Sequence, residues 1–452
     1  MRSVETAFPI DLAARKRARR SGLRVVSPSA NDDLRCSPPV KRTESKLRVL
    51  FLSPHYPPDV AATGQLVAEL AEDLVAAGHE AIVMASRPSY TDDTHSSYKI
   101  LERELRNGVE IHWLGVPRAG RRGIWSRLLP FAGYFAAAAL RSAFIRKIDI
   151  VFAQSTPPLL AGLLASTHSL LPGRRFVYNL QDVYPELGQE MGVLGDGVVT
   201  GLSKRIESRL RHRADLLTVL SQDMKARILS SDRDLNNISI VSNWTDTKKV
   251  VPVAPEDNRF RQQHGLAGRF VVMYSGNLGR VHGVELLPEV AAALADLEDL
   301  VLLIVGSGPA KATVANAVEK RGLKNVMFLP YQPKEGLNES LSAADVALIL
   351  QRRSASGLVV PSKLYGILAS GRPAVAAVPP DCEVARVLRE ERAGIVVEPE
   401  SAKAIANAVR ELYLGRARAA EMGKKARLAA IDRHDRRQAT GRYIKLFEQL
   451  TS

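Results

Sequence analysis

Apolar and polar positions follow two patterns along most of this chain. Short apolar runs bounded by glycine or polar residues predict buried strands. The segments between them, in which apolar residues recur every three or four positions, predict helices. Regular alternation of strand and helix is typical of a parallel sheet covered by helices on both faces. The first block of predicted strands is Leu47–Leu52, Ala81–Ala85, Val109–Leu114, Ile148–Ala153, Arg175–Asn179, Leu216–Leu220 and Ile238–Val241.

The same alternation begins again after a polar, proline-containing stretch at residues 245–268, which we interpret as a linker. We therefore expect an α/β protein with two doubly wound, Rossmann-like domains, at residues 46–250 and 251–434. A helix at 435–452 follows and can cross back to the first domain. Such domains bind ligands in the cleft between them, at the carboxyl ends of their strands. The second block of predicted strands is Phe270–Tyr274, Leu300–Val305, Val326–Leu329, Val346–Leu350, Ala374–Ala377 and Ile395–Val397.

Charge changes the picture mainly by indicating anionic partners. Lys and Arg number 63 against 48 Asp and Glu, which gives a formal net charge of +15. Such an excess suits phosphates, anionic lipids or nucleic acid. Nucleic acid is not expected as a partner, because the sequence has no recognised binding module and no interleaving of basic and aromatic residues. Part of the excess lies in residues 1–45, where Arg15–Arg20 and many polar residues predict a disordered basic extension.

Cysteine usage and the amino-terminal residues indicate a cytoplasmic location. The two cysteines, Cys36 and Cys382, show no disulfide or metal-binding spacing, which fits a reducing compartment. The first residues include acidic side chains and no apolar run with a cleavage site, so no signal peptide is expected.

One apolar segment suggests contact with a membrane surface. Residues 128–140 are apolar but too few to cross a bilayer, and Arg127 and Arg141 flank them. Such a helix, near residues 123–147, is typical of one that lies in the interface of an anionic membrane. A buried helix with basic ends is the alternative. We therefore expect peripheral association with the inner face of the cytoplasmic membrane.

Three junctions between a strand and a helix in the second block carry glycines or basic residues. Helix-start N–H groups are unpaired and bind phosphate, and Arg or Lys adds charge. The junctions predict a cradle for a diphosphate, with Arg280 and Lys363 as its cations; an ordinary turn or surface role is the alternative for each residue. The other residues predicted to bind this ligand are Ser275, Gly276, Asn277, Gly306, Gly308, Pro309, Ser362 and Leu364.

Two positions in the first block complete the predicted site. Gly64, at the start of a helix, would let a substrate approach the backbone closely. Asp182 follows the strand at 175–179 and could orient a sugar hydroxyl or accept a proton; helix capping is the alternative for both. No metal site is expected, because Asp232 and Asp234 precede a strand instead of following one, and the histidines lack metal-ligand spacing.

Taken together and in order, the motifs resemble those of a known family. From about Leu47 onwards the chain is similar to retaining glycosyltransferases of the large GT-B family 4, especially bacterial members that build exopolysaccharide, colanic acid or O-antigen. The resemblance implies a GT-B fold, a donor nucleotide sugar in the second domain, an acceptor in the first, and no required metal or other cofactor. The matching segments are residues 57–64, 181–185, 241–244, 274–279, 305–309 and 360–373.

The chain departs from this family at charged positions. The family usually has two glutamates about eight residues apart, where this sequence has Gly357 or Leu358 and then Gly366. The second of them usually binds the nucleotide ribose. The usual Arg and Lys of the first glycine-rich turn align with Asn277 and His282, and Arg280 can supply the missing charge.

These observations lead to a functional expectation. We expect sugar transfer with retention, by same-face attack, from a nucleoside-diphosphate sugar to a polyprenyl-diphosphate-linked saccharide during exopolysaccharide, capsule or O-antigen synthesis. The alternatives are a non-catalytic GT-B partner protein and a sugar-nucleotide epimerase of the same fold.

Overall fold

The computed structural model describes the backbone of residues 24–25, 46–59, 61–86, 101–115 and 124–452, and all their side chains except those of 24–25, 124–130 and 334. The extension predicted at 1–45 lies outside these residues, apart from Arg24 and Val25. Arg118, Arg121 and Arg122, which precede the helix expected near residues 123–147, also lie outside them. The chain divides into two compact units, residues 1–177 with 447–452, and residues 178–446. The domain boundaries expected near residues 250 and 434 stay predictions.

The first unit contains a mainly parallel sheet. Its strands lie in the order β1-β4-β5-β3-β2-β6, and among these described strands only β4 and β5 pair antiparallel. Asn107 and Gly108 join these two with φ of 50° and 81°, the backbone that tight hairpins require. Strands β1 and β4 were not predicted from the sequence, and β1 lies within the extension that was expected to be disordered. The strands are β1 (Arg24–Val25), β2 (Arg48–Leu52), β3 (Glu80–Ser86), β4 (Leu101–Arg106), β5 (Val109–Leu114) and β6 (Ile150–Gln154).

Helices α1 (Ala62–Ala76), α2 (Ile124–Ala143) and α3 (Leu160–His168) belong to the same unit. The segment 447–452 completes its core, because the fully buried Phe447 ring lies 6.1 Å from that of Phe152. Apolar contact of this kind is the main stabilising term in folding.

Strand β7 (Arg175–Leu180) begins in the first unit and ends in the second, which also contains the parallel pair β8 (Leu216–Val219) and β9 (Ile238–Ile240). A six-stranded parallel sheet follows, in the order β12-β11-β10-β13-β14-β15. This is the order of a doubly wound fold, as predicted. Its strands are β10 (Phe270–Ser275), β11 (Leu300–Val305), β12 (Val326–Leu329), β13 (Val346–Leu350), β14 (Ala374–Ala377) and β15 (Gly394–Val397).

Helices separate these strands, so the alternation predicted from the sequence is confirmed. None of the described helices combines the length and apolar character needed to cross a bilayer. The helices are α4 (Glu186–Glu190), α5 (Val198–Arg213), α6 (Gln222–Ser231), α7 (Arg259–Gln263), α8 (Leu287–Ala293), α9 (Lys311–Lys320), α10 (Leu337–Ser342), α11 (Lys363–Ala369), α12 (Glu383–Glu390), α13 (Ala402–Leu414), α14 (Arg416–Arg433) and α15 (Arg436–Thr451).

Candidate functional site

Two glycine-rich turns meet at the carboxyl edge of the six-stranded sheet. Strand β10 lies between β11 and β13, where the direction of winding reverses and doubly wound folds bind ligands. The turn after β10 and the turn after β11 are joined by hydrogen bonds from Gly276 N to Val305 O (2.9 Å) and from Leu278 N to Ser307 O (2.9 Å). We call residues 275–279 and 306–309 the paired turns.

Glycine is required where the paired turns touch. Gly306 has φ of 135°, and a Cβ atom added there would lie 2.1 Å from the carbonyl oxygen of Gly276. A Cβ at Gly308 would lie 2.6 Å from the carbonyl oxygen of Leu278. Neither approach is possible for a larger residue. These glycines therefore bring two backbones together, which leaves their peptide groups at the sheet edge.

Lys363 is the first residue of α11 and reaches over the first of the paired turns. Its Nζ lies 3.6 Å from the centre of the Tyr274 ring and 3.4 Å from the point that a Cβ on Gly276 would occupy. The residue is partly exposed, yet Nζ itself is buried and has no hydrogen-bond partner among the described residues. Burial lowers the pKa of Lys363 to about 7. A buried ammonium is costly unless it is paired, so this nitrogen suits an anionic ligand.

His282 adds a second unsatisfied nitrogen beside the same turn. Its Nδ1 is buried without a hydrogen-bond partner in the described part of the chain. Burial, and then the charge of Lys363, lower the pKa of His282 to about 3, so the ring is neutral near pH 7. Nδ1 and Lys363 Nζ are thus two polar atoms that a bound ligand could satisfy.

Arg280 is exposed and contacts a loop of the β7–β9 region. Its Nη1 donates to the carbonyl of Met191 (3.0 Å), and its own carbonyl accepts from Nε of Arg352 (2.8 Å). In this arrangement Arg280 holds Met191 beside the paired turns. Its predicted contact with a diphosphate stays a prediction.

Asp182 lies on a loop that joins the segment leading to Lys363. Val183 N donates to Leu358 O (2.8 Å), and Asp182 forms an antiparallel bridge with Val359. The carboxylate is partly exposed. Burial, and then the charge of Asp182, raise the pKa of Tyr184. The backbone thus ties two of the predicted catalytic residues, Asp182 and Lys363, to one connected segment.

Buried polar groups fix this loop from behind. Gln181 Nε2 donates to Asn179 Oδ1 (2.7 Å) and Asn243 Nδ2 donates to Gln181 Oε1 (2.9 Å). The guanidinium of Arg211, on α5, donates to the carbonyl of Tyr184 (3.1 Å) and to Oδ2 of Asp232 (3.1 Å). These four bonds restrict the movement of the loop, although Nε of Arg211 is buried without a hydrogen-bond partner in the described structure.

The remaining predicted residues lie at the turns, in the hydrophobic core or in the first unit. Asn277, Pro309 and Ser362 are exposed at the turns, and Ser275, Gly276 and Gly308 are partly buried there. Leu364 is a correction: its side chain is fully buried in the hydrophobic core and its amide bonds Pro361 O, so neither faces a ligand. Gly64 belongs to the first unit, where a Cβ would lie 2.8 Å from the His55 backbone. Packing alone therefore explains that glycine, and its ligand contact stays a prediction.

The positions aligned with the family glutamates have clear structural roles. Leu358 is buried. Gly357 has φ of 68°, and a Cβ atom added there would lie only 3.0 Å from the carbonyl oxygen of Asp223. A Cβ on Gly366 would lie 3.2 Å from the flexible side chain of Leu341. The glutamate that is usual in the family therefore fits neither at position 357 nor at position 358.

Sequence reasoning missed Tyr274 as the ring beneath Lys363. The signal was available, because Tyr274 is the last aromatic residue of the buried strand β10, two positions before Gly276. No group of three or more His, Cys, Asp or Glu side chains that could hold a metal ion occurs among the residues described above. Metal independence stays a prediction.

Comparison with known proteins covers both halves of the chain. The family model for glycosyl transferases group 1 matches residues 256–429, and the model for a glycosyl transferase 4-like domain matches residues 62–244. A protein of Escherichia coli K12 named as a colanic acid biosynthesis glycosyl transferase, WcaI, is 29% identical over 382 residues, 81% of this chain and 92% of the relative. A Pseudomonas aeruginosa protein named as the glycosyltransferase WbjE is 29% identical over 303 residues, 66% and 74% of the two chains.

Solved structures show the same fold. Sucrose-phosphate synthase from Thermosynechococcus elongatus superposes with a TM-score of 0.71 at 20% identity, over 90% of this chain and 99% of that one. HepE from Anabaena, in complex with UDP-glucose, gives a TM-score of 0.67 at 17% identity, over 89% and 100%. The predicted GT-B fold is therefore confirmed.

Proposed function

Because the chain belongs to the glycosyltransferases of group 1, with a 4-like domain before the group 1 domain, we propose that it transfers a sugar from a nucleoside-diphosphate sugar to a polyprenyl-diphosphate-linked saccharide, with retention and without a metal. The product would be a bacterial surface polysaccharide such as an exopolysaccharide, capsule or O-antigen. The names of its relatives, which include a colanic acid biosynthesis transferase, support this assignment.

One observation carries the proposal: the buried ammonium of Lys363 lies over the paired turns without a hydrogen-bond partner in the described structure. Breaking the bond between sugar and diphosphate leaves a departing anion. Fixed cations and outward-facing peptide N–H groups stabilise such charge in a site from which water is excluded. Lys363 would supply the cation, and those peptide N–H groups of the paired turns that do not bond the neighbouring turn or strand would supply the donors.

The other predicted residues would act around this centre. Arg280 would exchange the Met191 carbonyl for a phosphate oxygen, since a charged acceptor makes the stronger hydrogen bond. Asp182 would orient a hydroxyl of the sugar or the acceptor. Retention would follow from attack on the face that the diphosphate leaves, with no protein nucleophile.

Turnover of nucleotide sugars tests the proposal. The purified protein would be incubated with UDP- and GDP-sugars in turn, with and without polyprenyl-linked saccharides, and with EDTA. We expect nucleoside diphosphate release that depends on the lipid-linked acceptor and persists in EDTA. Folded protein that neither binds nor turns over any nucleotide sugar would favour the non-catalytic alternative, and interconversion of free nucleotide sugars would favour an epimerase.

Variants test the roles of the two cations. Lys363→Ala and Arg280→Ala should lower turnover about 10²-fold or more, because each removes stabilisation of the departing charge. The matched control is Lys320→Ala, an exposed lysine at the end of α9. Turnover within about twofold of wild type for both site variants would refute these roles.

A lipid-linked acceptor also suggests how the protein meets its membrane. Leu140 and Phe144 are 68% and 72% exposed at the end of α2, although the opposite face of this helix is buried. Ser142 and His168 bond this end to α3 (2.7 Å), which is followed by the exposed Leu170. We call Leu140, Phe144 and Leu170, with the exposed bases Arg146 and Lys147, the α2 surface. Apolar side chains beside bases suit an anionic bilayer interface.

Vesicle binding tests the α2 surface. Leu140→Asp with Phe144→Asp should weaken sedimentation with phosphatidylglycerol-containing vesicles, since both side chains are exposed and neither supports the core. Leu414→Asp, at a leucine that is 76% exposed on α13, is the control. Unchanged sedimentation would show that the α2 surface is not a membrane contact.

A further inference from the structure

A second exposed surface lies in the other unit, on helix α5 and the loop before it. Val198, Val199 and Leu202 are 88%, 70% and 53% exposed in the first turns of this helix, and Val193 on the preceding loop is 67% exposed. Monomeric soluble proteins rarely leave apolar side chains clustered in water, and such clusters mark interaction sites.

The outer face of the same helix becomes basic towards its end. Val198, Leu202, Arg205, Arg209 and Arg213 recur at intervals of three or four residues, so they form one stripe. All five are exposed. In the described structure these three arginines form no ion pair, whereas Arg211 on the inner face is buried against Asp232. The stripe therefore has an apolar tip and a positively charged stem.

This stripe begins beside the candidate site. Met191 accepts the hydrogen bond from Arg280, and the adjacent Gly192 lies against the same guanidinium. Val193 is the next residue. The exposed apolar tip is thus continuous in sequence with the segment that Arg280 holds beside the paired turns.

We propose that Val193, Val198, Val199 and Leu202 insert into an anionic lipid bilayer while Arg205, Arg209 and Arg213 contact its headgroups. We call these seven residues the α5 surface. A helix with apolar residues at one end and basic residues at the other binds anionic membranes, because the free energy of burying apolar area and the attraction to anionic lipid both favour binding. The charge of the surface indicates which partner binds there. A purely apolar partner would match only the valines and Leu202, whereas the three arginines require a partner with negative charge. The inference rests on the proposed function only in that a lipid-linked acceptor gives the contact a purpose.

A local probe separates this contact from the α2 surface. Val198→Cys, in a Cys36→Ser background and labelled with a polarity-sensitive fluorophore, would be mixed with phosphatidylcholine vesicles that contain or lack phosphatidylglycerol. Cys382 is buried, which limits labelling elsewhere. We expect a blue shift only with the anionic vesicles. A label at Leu428→Cys, which is 58% exposed on the basic helix α14, should show none.

Charge reversal provides the second measurement. Arg205→Glu with Arg209→Glu should weaken binding to anionic vesicles roughly tenfold or more, since each base near such a surface contributes appreciably. Turnover of a water-soluble short-chain acceptor without vesicles should stay at the wild-type rate, because neither arginine belongs to the candidate site. Absence of turnover in the wild type as well as in the variant would instead count against the proposed function.

Two outcomes would overturn the inference. The first is a label at position 198 that reports water in the presence of vesicles to which the protein demonstrably binds. The second is a protein that self-associates through this face, shown by sedimentation velocity as an oligomer that Val198→Asp with Leu202→Asp dissolves while vesicle binding persists.

Discussion

At the scale of single residues, Lys363 makes affinity for the donor depend on pH. Its pKa is about 7 in the free protein because its ammonium is buried, and a bound diphosphate would favour the charged form. Binding above pH 7 therefore takes up a proton. Two other titratable groups lie against Lys363 in the described structure: His282, neutral because its pKa is lowered to about 3, and Tyr274, whose pKa burial raises.

We predict that the Kd for a nucleotide sugar is flat below about pH 7 and rises up to about tenfold per pH unit above it. Isothermal titration between about pH 6 and 8.5 would measure this, because the diphosphate of a nucleotide sugar does not titrate there. Lys363→Met should bind weakly with no slope, and Lys320→Met should behave as wild type. If Lys363→Met binds weakly but the Kd of the wild type does not change with pH, Lys363 contacts the ligand but binding does not take up a proton.

A second prediction at this scale concerns the paired turns. Gly306→Ala should cost about 3 kcal/mol or more of unfolding free energy, since its Cβ would lie 2.1 Å from a backbone oxygen that cannot rotate away. Gly441→Ala is the control: nothing lies within 4 Å of its Cβ, and a helical alanine should stabilise by roughly 0.5–1 kcal/mol. Urea unfolding of both variants measures the difference. Equal stabilities would show that the turns separate at little cost.

At the scale of elements, helix α5 supports the loop that carries Asp182. Its inner face places Arg211 between the Tyr184 carbonyl and Asp232. Beside it, Tyr178 donates to Glu207, whose pKa burial raises to about 7. Removing one partner of a buried ion pair leaves the other charge uncompensated.

We predict that Arg211→Met lowers the free energy of unfolding by about 3–5 kcal/mol and also lowers kcat. The neighbouring Arg209→Met should change stability by less than about 0.5 kcal/mol because Arg209 is exposed. Denaturant titrations and turnover of both variants provide the test. A stable Arg211→Met protein with normal turnover would show that the loop is held by its other contacts.

Elements were predictable from the sequence to the extent that their residues are buried in a regular pattern. Strand β11 is apolar throughout and β10 is apolar up to its final serine, and both were located within one residue. Strand β4 was missed because its pattern, LERELR, is largely polar. The cluster of Lys363, Tyr274 and His282 depends on the start of α11 lying beside the end of β10, and no local pattern encodes a contact between residues so far apart in the chain.

At the scale of the whole molecule, residues 447–452 stabilise the unit whose other residues precede position 178. Phe447→Ala should cost about 3–5 kcal/mol, because it deletes a fully buried ring. The loss should fall on the first unit, to which residues 447–452 belong. Hydrogen exchange of β2 and β6 would show it. The exposed Leu414→Ala is the control, and unchanged exchange in Phe447→Ala would mean that this unit is stable without the ring.

This arrangement has a consequence during protein synthesis. A ribosome completes residues 1–177 long before it adds Phe447, and at ordinary rates of translation the delay is on the order of tens of seconds. Throughout that time the nascent chain exposes the apolar site beside Phe152 that Phe447 will fill. The first unit is therefore completed only after residues 178–446 have been made, and the growing polypeptide is a natural client for chaperones that shield apolar surface until Phe447 has been added.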